Sequence, residues 1–188
     1  MRTFPTVSEH PPEPDEWRTD DAVRQAVLEV ETHVAESGWD QPARLYALVP
    51  TSELLAAQPE LAARLGLDPA NAAGTFTPIE QEVDPSESIE SLLTRIEWPP
   101  AVRGAAVVME RFVLPAEAEE SLPDGPVDAE AVAGHPERHE VRMAAAVTRD
   151  CRAHCAIRLR EHDHDDAVLD GTQLIPGLVG LLARSLTD

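Results

Sequence analysis

Seven residues in one stretch carry side chains that bind metals: Cys151, His154, Cys155, His162, His164, Asp165 and Asp166. Thiolate and imidazole are the ligands Zn²⁺ prefers, and imidazole with carboxylate suits other divalent ions. The spacing argues against one shared centre. On an extended strand Cys151 and Cys155 lie about 13 Å apart, and His154 points to the opposite face. The plainer assignment is two cysteines on the core face and one exposed histidine. His162, His164 and Asp166 could hold an ion in the acidic run that follows, although such runs are more often simply solvated.

The second feature is charge. Between Arg138 and Arg160 six arginines stand against Glu140 and Asp150, a local +4 in a chain of net charge −20. Strand alternation puts Arg142, Arg152, His154, Arg158 and Arg160 on one face. The planar fork of arginine suits carboxylates and phosphates. That face is a candidate binding surface for a protein or peptide partner, a phosphate-bearing ligand or a second copy of the chain. The competing assignment pairs these arginines with acids from the 115–137 loop or from a neighbouring helix.

The elements that must position these residues follow from periodicity and punctuation. Val23, Ala26, Val27, Val30 and Val34 mark a helix capped by Thr19 or Asp20 and closed at Gly38. Residues 44–49 read as a buried strand stopped by Pro50, followed by two short helices, and 75–83 as a second strand. Asp84-Pro85-Ser86-Glu87 reads as a capped start for the helix carrying Ile89, Leu92, Leu93 and Ile96. Residues 102–114 are apolar at both parities, as in a central strand covered on both faces. Residues 115–137 form a loop with one helical turn at 116–120. Two alternating segments, 139–147 and 151–160, make an antiparallel hairpin, and 176–186 is a closing helix. Residues 1–18 are a proline-rich, acidic arm, extended or disordered, in which Trp17 is the residue fit to dock. The expectation is a single α+β domain over 19–188, with about five mostly antiparallel strands and helices packed on one face.

Composition removes several chemistries. All 15 basic residues are arginine, so lysine Schiff bases, pyridoxal anchors and P-loop or kinase phosphate lysines are out, and the sequence calls for no cofactor. A net charge of −20 speaks against nucleic acid. The longest apolar stretch, 174–183, is half the ~20 residues of a membrane helix, and no signal core is seen, so a cytoplasmic protein away from membranes is expected. No catalytic residue is nominated, for Gly-x-Ser-x-Gly and His-Glu-x-x-His are absent. The leading expectation is a non-enzymatic binding module on the arginine face. Its alternative is a divalent-metal enzyme using the 151–166 cluster.

Three segments carry a family resemblance: Trp98-Pro99-Pro100-Ala101-Val102-Arg103-Gly104-Ala105-Ala106-Val107-Val108-Met109-Glu110-Arg111, His135-Pro136-Glu137-Arg138-His139-Glu140-Val141-Arg142, and Leu174-Ile175-Pro176-Gly177-Leu178-Val179. Over roughly residues 20–186 the chain resembles an uncharacterised conserved family of actinobacterial proteins. The resemblance implies no activity and no site residues. The element order is also loosely similar to that of small α+β chaperones related to type III secretion chaperones, a likeness of fold alone.

Overall fold

The computed structural model of the protein describes residues 17–84, 86–119 and 129–187. Its helices are α1 (Asp21–Ala35), α2 (Thr51–Ala57), α3 (Pro59–Arg64), α4 (Ile89–Leu93), α5 (Ala116–Glu119), α6 (Ala129–Gly134) and α7 (Pro176–Ser185). Its strands are β1 (Arg44–Pro50), β2 (Phe76–Gln81), β3 (Gly104–Val113), β4 (His139–Thr148), β5 (Ala153–Leu159) and β6 (Leu169–Gly171). The strands form one antiparallel sheet in the order β2-β1-β3-β4-β5-β6. The single α+β domain is as expected, with β6 added beyond the hairpin.

The helices cover both faces of the sheet and not one, which corrects the expected layering. β1, β3 and β4 are apolar at both parities, so each face needs its own cover. On one face Leu45, Val107, Met109, Val147 and Cys155 pack with Leu54 of α2, Ile89 and Leu93 of α4, and Leu178 and Leu182 of α7. On the other, α1 lies on Tyr46, Leu48, Val108 and four alanines: Ala106, Ala144, Ala146 and Ala156. Small side chains there let the helix backbone approach the sheet closely. Each fully buried valine of α1 contributes about 1.5–3 kcal/mol of transfer free energy.

Local chemistry sets the ends of α1. The Asp20 carboxylate accepts from the Val23 N–H at 3.0 Å, and Gly38 takes φ +77 just beyond the helix. The start of α4 differs from expectation. Asp84 accepts from the amide and hydroxyl of Ser86 at 2.8 and 2.7 Å. It therefore closes a turn, and Ser88 caps the helix by accepting from the Ser91 N–H at 3.1 Å. Glu87, expected inside the helix, pairs with Arg95. Of the expected arm, residues 1–16 lie outside the described residues. Trp17 packs on the first core, and Arg18 joins the hairpin through main-chain bonds with Cys151 and Ala153. Among the described residues no helix is long and apolar enough to cross a membrane.

β3 and β4 approach closely at Gly104, where a Cβ would sit 2.5 Å from the Val147 carbonyl oxygen. Gly104→Ala is expected to cost about 1–3 kcal/mol through overpacking. Gly177→Ala, in the first turn of α7 with open space around it, should gain up to about 1 kcal/mol. Urea unfolding midpoints measure both, and a Gly104→Ala protein as stable as wild type would contradict this close approach.

Candidate functional site

Alternation does bring the hairpin arginines to one face, and that face is the one beneath α1. Arg142 and Arg158 are direct cross-strand partners on β4 and β5. Two like charges so placed require a shared counter-charge, and Glu31 of α1 supplies it. Arg158 donates Nε and Nη2 to the two Glu31 oxygens at 2.7 and 2.9 Å. Arg142 Nη1 lies 3.9 Å from Glu31 Oε1, and its Nη2 donates to Glu110 at 2.9 Å. All three are sealed from solvent: Arg142 is 0% exposed, Arg158 2% and Glu31 1%. Asp163 and Asp165 complete the Arg158 shell at 3.3 and 2.8 Å. Hydrogen bonding to Glu31 raises the Arg158 pKa beyond its already high ordinary value, against the opposing effect of burial.

The segment after α1 closes the end of this network. Trp39 lies against Arg142 and Arg160, with guanidinium carbons 4.5 and 5.5 Å from its ring centroid, and its Nε1 donates to Asp163 at 2.8 Å. Arg160 forks onto Asp40 at 3.1 and 3.0 Å and reaches Glu140 at 2.8 Å. Asp40, Glu110 and Glu140 are the set of ligand atoms that meets metal-site spacing among the described residues. Arg142 and Arg160 already supply its positive charge.

The structure disperses the proposed metal ligands. Cys151 is exposed at the hairpin turn with φ +61, so the expectation that both cysteines sit on the core face fails there. Cys155 is buried on the α7 side, and burial pushes its thiol up to about 11. His154 lies on the opposite face, as expected, yet it is 4% exposed and not solvated. It stands between Thr19 Oγ1 at 3.0 Å on Nδ1 and Asp170 Oδ2 at 2.8 Å on Nε2. His162 and His164 stack with ring centroids 6.4 Å apart, and His164 Nδ1 is 4.0 Å from Asp166. All three are exposed.

Of the predicted binding residues, Arg152 occupies a different setting. It pairs with Asp20 and Asp150 and lines a cavity of about 450 Å³ at one end of the sheet, where Pro50, Phe76, Arg103 and Arg149 converge under Ala22 of α1. Arg103 is the cavity residue the sequence reading passed over. The β3–β4 register, which pairs Gly104 with Thr148, puts it beside Arg149, and hairpin alternation alone cannot reveal that. Arg149 is structural, donating to the carbonyls of Val102 at 3.0 Å and Trp98 at 3.2 Å and to that of Leu186. Arg103 meets Glu53 at 3.5 Å with about half of each side chain exposed, an exchangeable pair. Arg152 Nε is buried without a hydrogen-bond partner among the described residues.

Removing one member of a buried ionic set leaves the others uncompensated, at about 3–5 kcal/mol. Glu31→Gln should therefore lower stability by that order in urea unfolding. Glu36→Gln, whose partner His33 is 3.8 Å away at an exposed site, should change it by less than about 0.5 kcal/mol. Acid should also weaken the fold. Arg24 and then His154 hold the Asp170 carboxyl below its ordinary 3.8, and Arg160 does the same for Asp40. A depressed folded-state pKa stabilises the fold above the unfolded value, and that contribution is lost as pH falls through the folded one. Stability measured against pH should decline on acidification below about pH 4.

Comparison with known proteins places the chain in a family while leaving its role open. No curated protein and no solved structure matches it. The family described as PPA1309-like protein matches residues 23–187, a span holding most of α1, the whole sheet and α7. The chain belongs to the PPA1309-like family, whose function is uncharacterised.

Proposed function

We propose that the protein is a non-enzymatic binding module that takes the anionic group of a small ligand or peptide in the cavity beside Arg103 and Arg152. The observation that carries this reading is the cavity itself. Its volume of about 450 Å³ lies in the ~300–1,000 Å³ range of small-molecule sites. Of the three guanidinium groups at its wall, Arg103 pairs with Glu53 and Arg152 with Asp20 and Asp150. The side chains of Asp150 and Glu53 are 60% and 48% exposed, and such pairs are worth about 0–1 kcal/mol, whereas Asp20 also caps α1. A ligand carboxylate or phosphate can take the place of Glu53 and Asp150 at little cost. Arg142 and Arg158 have no comparable freedom, so the binding role foreseen for the arginine face contracts to the part α1 leaves open. A polyanion such as nucleic acid would meet the −20 charge of the whole chain, whereas a single anionic group meets the local arginines.

A second reading rests on the Thr19, His154 and Asp170 chain. A hydroxyl, an imidazole and a carboxylate within hydrogen-bond reach are the parts of an activated nucleophile. In that reading Thr19 Oγ1 adds to the acyl carbon of an ester as its proton passes to His154 Nδ1, the bond to the alkoxy group breaks and His154 returns the proton to the departing alcohol. Water, giving a proton to His154, then releases the acid and restores the Thr19 hydroxyl. Incubation with a fluorophosphonate probe should then label Thr19 in wild type and not in His154→Ala. Absence of label in wild type would leave His154 as a tie between the chain ahead of α1 and the β5–β6 edge.

For the binding reading, inorganic phosphate titrated at constant ionic strength should raise the melting temperature of wild type beyond what chloride does. Arg103→Glu with Arg152→Gln should lose that response while keeping a native circular dichroism spectrum. An equal response in the double variant, or none in wild type, would contradict the assignment.

A further inference from the structure

A second cavity, of about 310 Å³, opens beside the first and shares Ala22, Thr75 and Phe76 with it. These shared residues border both cavities, and the second runs beneath the first half of α1 from Ala22 to Glu29. Ala22, Gln25, Ala26 and Glu29 follow at helical spacing, so one face of α1 roofs the groove from its capped end to Glu29. The charge of the lining shifts along this path. Arg103, Arg149 and Arg152 stand at the capped end with Glu53 and Asp150, whereas the far part is lined by Glu29 and Asp68 with no arginine.

The two carboxylates differ in availability. Asp68 is occupied, accepting from the Ala70 amide at 2.9 Å and from Asn71 Nδ2 at 3.0 Å. Glu29 has no hydrogen bond or ion pair among the described residues. Burial pushes its carboxyl up, with His33 opposing. Glu29 is exposed at the edge of the groove with His33 as its charged neighbour, and its carboxylate is open to a cation that enters. From Ala22 to Glu29 the helix rises about 10 Å, and three extended residues span about the same length.

We infer that the groove takes a linear zwitterion, its carboxylate at Arg103 and Arg152 and its ammonium at Glu29, with the charge separation of a free tripeptide. The inference rests on the anion-binding reading and adds the second charge, the length and the direction. Phe76 and Ala22 form the apolar waist where the middle of the ligand passes.

Calorimetric titration with trialanine, N-acetyl-trialanine and trialanine amide tests it on wild type, Glu29→Gln and the Arg103→Glu, Arg152→Gln double variant. Trialanine should bind wild type. N-acetylation or Glu29→Gln should weaken it at least about tenfold, while the phosphate-induced rise in melting temperature stays intact. Amidation or the arginine changes should remove binding. An ω-amino acid of the same span that binds as well as trialanine would show that the paired charges suffice and the peptide groups add nothing, which still supports the zwitterion. If trialanine fails to bind, or N-acetyl-trialanine binds as tightly, while phosphate still stabilises the protein, the zwitterion is wrong and the anion site stands. Loss of both responses in wild type would overturn both.

Discussion

The bidentate pair of Glu31 with Arg158, shared with Arg142, is the constraint on which the rest of the architecture turns. Two guanidinium groups on neighbouring strands, out of contact with water, repel each other and carry a large desolvation cost. Only a carboxylate delivered between them makes the arrangement tolerable. Glu31 reaches that position only when α1 lies on the β3–β4–β5 surface in one rotation and one axial register. Apolar packing on alanines would tolerate some slippage of the helix, and the ionic pair does not. The pair thus acts on the uniqueness of the helix register more than on net stability.

Once α1 is fixed, its two ends build different things. Its C-terminal end sends Trp39 and Asp40 over Arg142 and Arg160, closing the ionic layer. Its N-terminal end rests on Arg152 through Asp20 and on His154 through Thr19. The first half of the helix becomes the roof of the groove between the β1–β2 end of the sheet and the hairpin turn. The same helix therefore buries one set of arginines and leaves another usable. In the proposed reading, that division lets a strongly acidic chain offer a local anion site while its remaining cations are largely spent on internal acids.

Much of this was legible in the chain. The valine stripe of α1, the double parity of β3, the alternation of β4 and β5, and the proline and glycine stops all follow from local geometry, and the elements appear where those rules put them. The face shared by Arg142, His154 and Arg158 was equally readable. Its burial was not, because the counter-charges Glu31 and Glu110 are distant in sequence and reach the arginines only after the sheet forms. One signal was present: Glu31 sits four residues after Val27 and three before Val34, inside the apolar stripe. A lone carboxylate on a buried helical face demands a buried cation. The Asp84 motif misled for a local reason, since Ser86 offered its carboxylate a nearer partner than the helix did. Arg103 escaped notice because its place in the groove depends on the β3–β4 register.

The central claim is that α1 seals Arg142 and Arg158 inside the fold while Arg103 stays on the groove wall. Arginine footprinting with phenylglyoxal, read residue by residue by mass spectrometry on the native protein, tests it most directly. Arg103 and exposed arginines such as Arg95 should be modified rapidly, and Arg142 and Arg158 only once the protein unfolds. Modification of Arg142 or Arg158 at the rate of Arg103 would mean that the arginine face is open, and would contradict the account.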